Sequence, residues 1–268
     1  MKLLRYVTAL VLIVGLGIAA WVFYPQYQIY KMKKQSVSSE IAKVSYIDYF
    51  RDSKATQIHH LALGDSVISG FGAEQNKDLV SQFSAKLGVQ INKPIQFQNE
   101  GINGITSSEL NNLVQSGQFD EEINQADIIT INVGGNDILH AAAGKELTTV
   151  FQTFNQLKDD FSKNLSEMTA KIKMVNPNAT IVFLEQYNPL APTDSVYSLA
   201  DQMLPKWNLK IYQAANEVGS SVVVETTKVI NGNNLDNLSA DGVHPNTKGY
   251  TAISEQMIYQ LKHQYRNT

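Results

Sequence analysis

The sequence predicts an α/β domain in three layers, a five-stranded parallel sheet with helices on both faces. Three observations carry that expectation. From Ile58 onward, apolar runs of strand length alternate with longer segments of helical periodicity, which is the pattern of parallel strands joined by crossover helices. Runs such as Ile128-Ile129-Thr130-Ile131 are almost continuously apolar, as suits strands covered on both faces. No internal repeat or low-complexity tract breaks the alternation, so residues 57–268 read as one domain.

Ahead of that domain the chain changes character twice. Lys2 and Arg5 precede an uncharged, mostly apolar run over 6–24, closed by Pro25. As a helix this run spans about 28 Å, against a hydrocarbon core of ~30 Å, and it exceeds the usual apolar region of a cleaved signal. Residues 1–25 are therefore expected to form a retained transmembrane helix, with Trp21, Tyr24 and Tyr27 in an interfacial belt. The basic lead places the domain outside the cytoplasm, although Lys31, Lys33 and Lys34 on the other flank nearly balance it. Cleavage would instead yield a secreted protein. Residues 26–56 are polar and lysine-bearing, with Ser36, Ser38 and Ser39 clustered; they read as a stalk turning helical over 39–50.

Within the domain, strands are expected at 58–63, 95–98, 128–133, 180–184 and 221–224. Leu79, Val80, Phe83 and Leu87 make a helical stripe. Thr106 and Glu109 have capping-box spacing ahead of Leu110 and Leu113. Phe151, Phe154, Leu157, Phe161, Leu165, Met168 and Ile172 recur every three or four residues and mark a long amphipathic helix. Ile253, Met257 and Leu261 mark the last, over 250–261.

Composition removes several function classes. A net charge of −3 on 268 residues, 18% of them charged, offers no clustered basic face for nucleic acid. The chain has no cysteine, which excludes disulfides, thiolate metal sites and a cysteine nucleophile. His59 and His60 are adjacent in a strand, so they point to opposite faces and read as structural. There is no P-loop and no dinucleotide-binding glycine fingerprint. Neither metal nor cofactor is expected.

Four short motifs fall at the carboxyl ends of the expected strands or in the loops beyond, the edge at which open parallel sheets bind ligands. Gly64-Asp65-Ser66 follows the first strand, Asn103-Gly104 the second and Gly134-Gly135-Asn136-Asp137 the third, while Asp241 and His244-Pro245 lie ahead of the closing helix. A serine hydroxyl needs a base to take its proton, and the base needs a partner to fix its tautomer; Ser66, His244 and Asp241 supply the three. Each motif has a plain structural reading as well: Ser66 as a helix cap, Asp65 and Asp137 as satisfiers of loop amides, and His244-Pro245 as a helix start.

These four blocks, in this order, resemble the GDSL-type or SGNH hydrolases, over roughly 58–261. One position departs: Val67 stands where the family often has leucine. The resemblance implies a flavodoxin-like α/β/α fold and a serine ester hydrolase. Ser66 would be the nucleophile, His244 the base and acid, and Asp241 its orienting partner. The oxyanion hole would be the backbone N–H groups of Ser66 and Gly104 with the Asn136 side chain, glycine at 104 leaving room for that approach. The substrates it implies are small-molecule, lipid or acylated-glycan esters. An acyltransferase using the same triad and a non-catalytic surface binding module are the alternatives. The 186–195 segment, with Tyr187, Pro189, Leu190 and Pro192, either rims an acyl site or covers the sheet edge.

Overall fold

The structure, a computed structural model, describes residues 2–35, 43–142 and 147–267. Its strands are β1 (Lys43–Ser45), β2 (Ile58–Gly64), β3 (Ile95–Gly101), β4 (Ile128–Asn132), β5 (Thr180–Leu184), β6 (Ser221–Val224) and β7 (Tyr265–Asn267). The five central strands form one parallel sheet in the order β3-β2-β4-β5-β6, so the expected α/β architecture is present. Strand β3 runs past the expected 95–98 to Gly101. Its polar end, Asn99-Glu100-Gly101, lies on the open edge of the sheet, where apolar residues are not required.

Alternation along the strands divides the core in two. Leu61, Leu63, Ile129, Ile131, Ile181 and Phe183 face one side. There they meet helices α5 (Ser107–Gln115), α6 (Asp120–Gln125), α8 (Leu147–Val175) and α9 (Tyr197–Val218). Ile58, Ala62, Val182, Leu184 and Val224 face the other, packing on α2 (Tyr46–Asp52), α4 (Leu79–Ile91) and α10 (Thr247–His263). The long amphipathic stripe is α8, with Phe161, Leu165, Met168 and Ile172 buried. The capping box at the start of α5 forms with both of its hydrogen bonds. Helix α9, not anticipated from the sequence, buries Trp207 in a stack on Phe161 with ring centroids 4.5 Å apart.

Helix α1 (Lys2–Gln35) differs most from expectation. It continues through Pro25 for ten further residues, and there Ile29 and Met32 pack on the core beside α9. Lys33 forms an ion pair with Glu225 and sits over the Tyr212 ring. Among the described residues no helix is long and apolar enough to cross a membrane. The transmembrane helix expected over 6–24, and with it the membrane contact, is therefore not supported: the described C-terminal part of α1 is a lysine-bearing segment docked on the domain. Upstream, Val11, Ile13, Val14 and Leu16 are exposed.

The segment 43–52, read from sequence as stalk, carries β1 and α2. Strand β1 pairs antiparallel with β7, and Tyr46, Ile47 and Phe50 are buried. The Tyr46 hydroxyl donates to the Ser221 carbonyl. On the β6 edge, the Gln264 side chain both accepts from and donates to the backbone of Val223, satisfying groups that an edge strand leaves open. Residues 36–42 of the expected stalk lie outside the described residues.

Register sets the position of the site. Gly64 pairs with Gly101 on one side and with Asn132 on the other, so β2, β3 and β4 end level and their following loops converge at one edge.

Candidate active site

The loop that carries Ser66 is built by close approach. A Cβ on Gly64 would lie 2.1 Å from the carbonyl oxygen of Asn132, so only glycine lets β2 end this close to β4. Asp65 then extends the pairing, its N–H donating to that same carbonyl at 3.0 Å. Its carboxylate accepts from Val67 N–H at 2.9 Å and caps the short helix α3 (Ser66–Ser69). Ser66 thus becomes the first residue of α3, 7% exposed.

The Ser66 hydroxyl lies 2.7 Å from His244 Nε2, and His244 Nδ1 lies 2.6 Å from Asp241 Oδ2. With Nδ1–H donating to the carboxylate, Nε2 remains to accept the serine proton. The turn carrying the pair is fixed from several sides. Ser239 N–H donates to the His244 carbonyl, Leu238 bridges Pro245, and the partly buried Tyr187 side chain donates to the Val243 carbonyl. Burial pulls the Asp241 carboxyl upward, but hydrogen bonds from Val243 N–H, the His244 ring, His244 N–H and Ser239 outweigh it and hold the group well below the usual carboxylate range. Asp65 is the opposite case. Burial pushes it up to about 7, with the Val67 N–H and the nearby His244 only partly offsetting.

Three donors lie in the segments that follow β2, β3 and β4 at this edge. The N–H groups of Ser66 and Gly104 have no acceptor among the described residues. Gly104 has φ +81, and a Cβ there would meet nothing within 4 Å. The left-handed backbone by itself favours glycine there, and among the described residues no protein atom crowds the position. Asn136 stands in the first turn of α7 (Gly135–Ala142) and donates one amide hydrogen to the Ile105 carbonyl at 3.0 Å, which leaves the other. Gly134, φ +120, brings the backbone against Phe161 and Trp207, where a Cβ would come within 2.7 Å of the Phe161 ring.

The remaining expectations divide cleanly. Asp137 accepts from the N–H and hydroxyl of Ser107 and serves the start of α5, the structural role anticipated for it. His60 is buried between the Ser84 and Thr130 hydroxyls, and burial lowers it to about 3. Among the described residues no group of three or more acidic or histidine side chains is placed to hold a metal ion.

Sequence reasoning missed two features. Gln186 donates to Asn132 Oδ1 and the Val133 carbonyl beneath the Gly134-Gly135 turn, and Asn208 grips the Gln186 backbone at both N–H and C=O. The only trace in the sequence is a polar residue soon after the apolar run that ends at Leu184. Phe71, half exposed, lies against His244 with ring centroids 4.6 Å apart; nothing in the sequence marks it.

Residues 62–252 match the model of the GDSL-like lipase/acylhydrolase family. The chain is 28% identical over 207 residues to the spore germination lipase LipC of Bacillus licheniformis, covering 75% of this chain and 94% of that one. Among solved structures it is similar to the lipase Lip_vut3 from a goat rumen metagenome, with TM-score 0.69, 27% identity, and 76% and 97% of the two chains covered. TesA is similar in fold, with TM-score 0.59 at 20% identity, covering 76% of this chain and 98% of that one.

Proposed function

Because the chain belongs to the GDSL-like lipase/acylhydrolase family, we propose that it hydrolyses carboxylic esters through an acyl enzyme on Ser66. The observation that carries this reading is the continuous chain from Ser66 through His244 to Asp241, at 2.7 and 2.6 Å. His244 takes the Ser66 proton as the oxygen attacks the ester carbonyl. The carbonyl electrons move onto oxygen, which the N–H groups of Ser66 and Gly104 and the free amide hydrogen of Asn136 receive. His244 then gives its proton to the departing alcohol. In the second half, water loses a proton to His244 and attacks the acyl carbon, and Ser66 leaves with that proton restored. Asp241 holds the imidazole tautomer and balances its charge.

Hydrolysis is favoured over acyl transfer because the site is open. The side chains of His244 and Asp241 are 23% and 36% exposed, so water reaches the acyl enzyme; a transferase has to exclude it. A purely binding role leaves the aligned triad without a purpose. The lipase names of LipC and Lip_vut3 support an ester substrate.

The test is turnover of p-nitrophenyl acetate, butyrate and decanoate by the full chain and by Ser66→Ala. Turnover lost in the variant supports the reading; equal turnover overturns it. We also place the domain outside the cytoplasm, on the basic lead and apolar run at the N-terminus. A membrane-impermeant fluorophosphonate labels Ser66 in intact cells if that is right, and only after lysis if it is not.

A further inference from the structure

A single exposed aromatic is ordinary on a protein surface, but Phe71 is not loosely placed. Its N–H donates to the Ser66 carbonyl at 3.0 Å, and its own carbonyl accepts from the hydroxyl of Tyr250, a fully buried side chain, at 2.7 Å. The flanking glycines press the turn against its neighbours. A Cβ on Gly70 would lie 2.3 Å from the Asp78 side chain, and one on Gly72 would lie 2.7 Å from the Pro245 carbonyl. A rigid turn therefore presents a ring that is 48% exposed, tilted 51° to the His244 imidazole.

Resting on the hydrolase reading above, the chemistry says which part of a substrate meets that ring. The carbonyl oxygen must point to Gly104 and Asn136. The alcohol oxygen must lie within hydrogen-bond reach of His244 Nε2, because that nitrogen protonates it as the C–O bond breaks. The group borne on the alcohol oxygen thus leaves the site alongside the imidazole, where Phe71 stands, while the acyl chain departs elsewhere. We propose that Phe71 is a specificity-determining residue for the alcohol portion of the ester. The favoured substrates carry an apolar or flat alcohol group next to the ester oxygen, over small hydrated alcohols.

The test measures kcat/KM of the full chain, Phe71→Ala and Phe71→Leu on two matched pairs. Benzyl and ethyl butyrate vary the alcohol; ethyl butyrate and ethyl octanoate vary the acyl chain. The parent prefers benzyl to ethyl, and Phe71→Ala loses about two- to tenfold of that preference, the range of one aromatic contact. The acyl ratio stays as in the parent, and Phe71→Leu keeps part of the alcohol preference. A change in the acyl ratio with the alcohol ratio intact overturns the proposal. An equal fall on all substrates also overturns it, making the ring only a support for His244. Fluorophosphonate labelling of Ser66 separates the two readings: a parent that neither labels nor turns over any ester fails as a hydrolase, and the proposal falls with it. If Phe71→Ala alone fails to label, the alcohol ratio of Phe71→Leu decides.

Discussion

The side-chain amide of Asn136 donates to the backbone carbonyl of Ile105 at 3.0 Å, joining the loop after β4 to the loop after β3. That bond ties the Gly104 segment in place, and the second amide hydrogen is the one the proposed mechanism offers to the oxyanion. Asn136→Ala is expected to lower kcat about 10²- to 10³-fold, the usual cost of one such donor, with KM little changed. Steady-state kinetics on p-nitrophenyl butyrate check this. A loss confined to KM would place Asn136 in ground-state binding only.

Asp65 and Asp241 give opposite dependences of stability on pH. The folded-state Asp65 is raised to about 7 from the ordinary 3.8. The native protein therefore binds more protons than the unfolded chain between those values, and this group's contribution is full below 3.8 and lost as pH rises towards 7. The loss amounts to a few kcal/mol at most, on the order of 1.4 per unit. Asp241 is lowered, so its contribution is present above the ordinary carboxylate range and lost as pH falls below it. Asp65→Asn, which keeps an oxygen for Val67 N–H, should flatten the decline in urea midpoint between pH 4 and 8. Asp241→Asn should leave that decline in place.

The contact chain from Ser66 through His244 to Asp241 was readable from sequence because the chemistry proposed for it needs specific residue types, one after a strand and two ahead of the closing helix. The sheet was readable because burial on both faces forces apolar runs. What escaped depends on contacts between distant segments. Helix α9 begins at Tyr197 without a side-chain cap and contains Pro205, so its local signals argue against a helix that tertiary packing of Trp207 and Ile211 stabilises. Ile29 and Met32 sit among lysines and tyrosines, where a docked helix and a linker look alike. Gln186 and Asn208 are 22 positions apart, and their pairing has no sequence period to reveal it.

Helix α1 should matter for stability although its described contacts are with α9, the core beside it and Glu225 rather than with Ser66, Asp241 or His244. Removing it uncovers the α9 surface beneath Ile29 and Met32 and takes Lys33 from Glu225. Burial also raises the neighbouring Glu185 carboxyl, which the Lys33 charge helps to offset. A chain beginning at Lys43 is expected to unfold in urea with about 2–4 kcal/mol less stability than the full chain, mostly from two partly buried apolar side chains. Lys33→Ala alone should cost less. Equal urea midpoints for the full and shortened chains would mean that α1 rests on the domain without stabilising it.

Two glycines of the site should fail in different ways. At Gly64 an added methyl meets the Asn132 carbonyl at 2.1 Å and Ile68 at 2.7 Å; the first obstacle is backbone of the adjacent strand and cannot rotate away. Gly64→Ala is expected to cost about 3 kcal/mol or more and to separate β2 from β4 where Ser66 is launched. At Gly104 a methyl meets nothing, and only the left-handed φ of +81 resists it, a strain of about 1–2 kcal/mol. Gly104→Ala should therefore fold and melt a few degrees below the parent, yet lose kcat because relaxing φ turns its N–H away from the oxyanion. Thermal melts beside kcat on p-nitrophenyl butyrate distinguish the cases. A Gly104→Ala protein with full kcat would remove that N–H from the oxyanion hole.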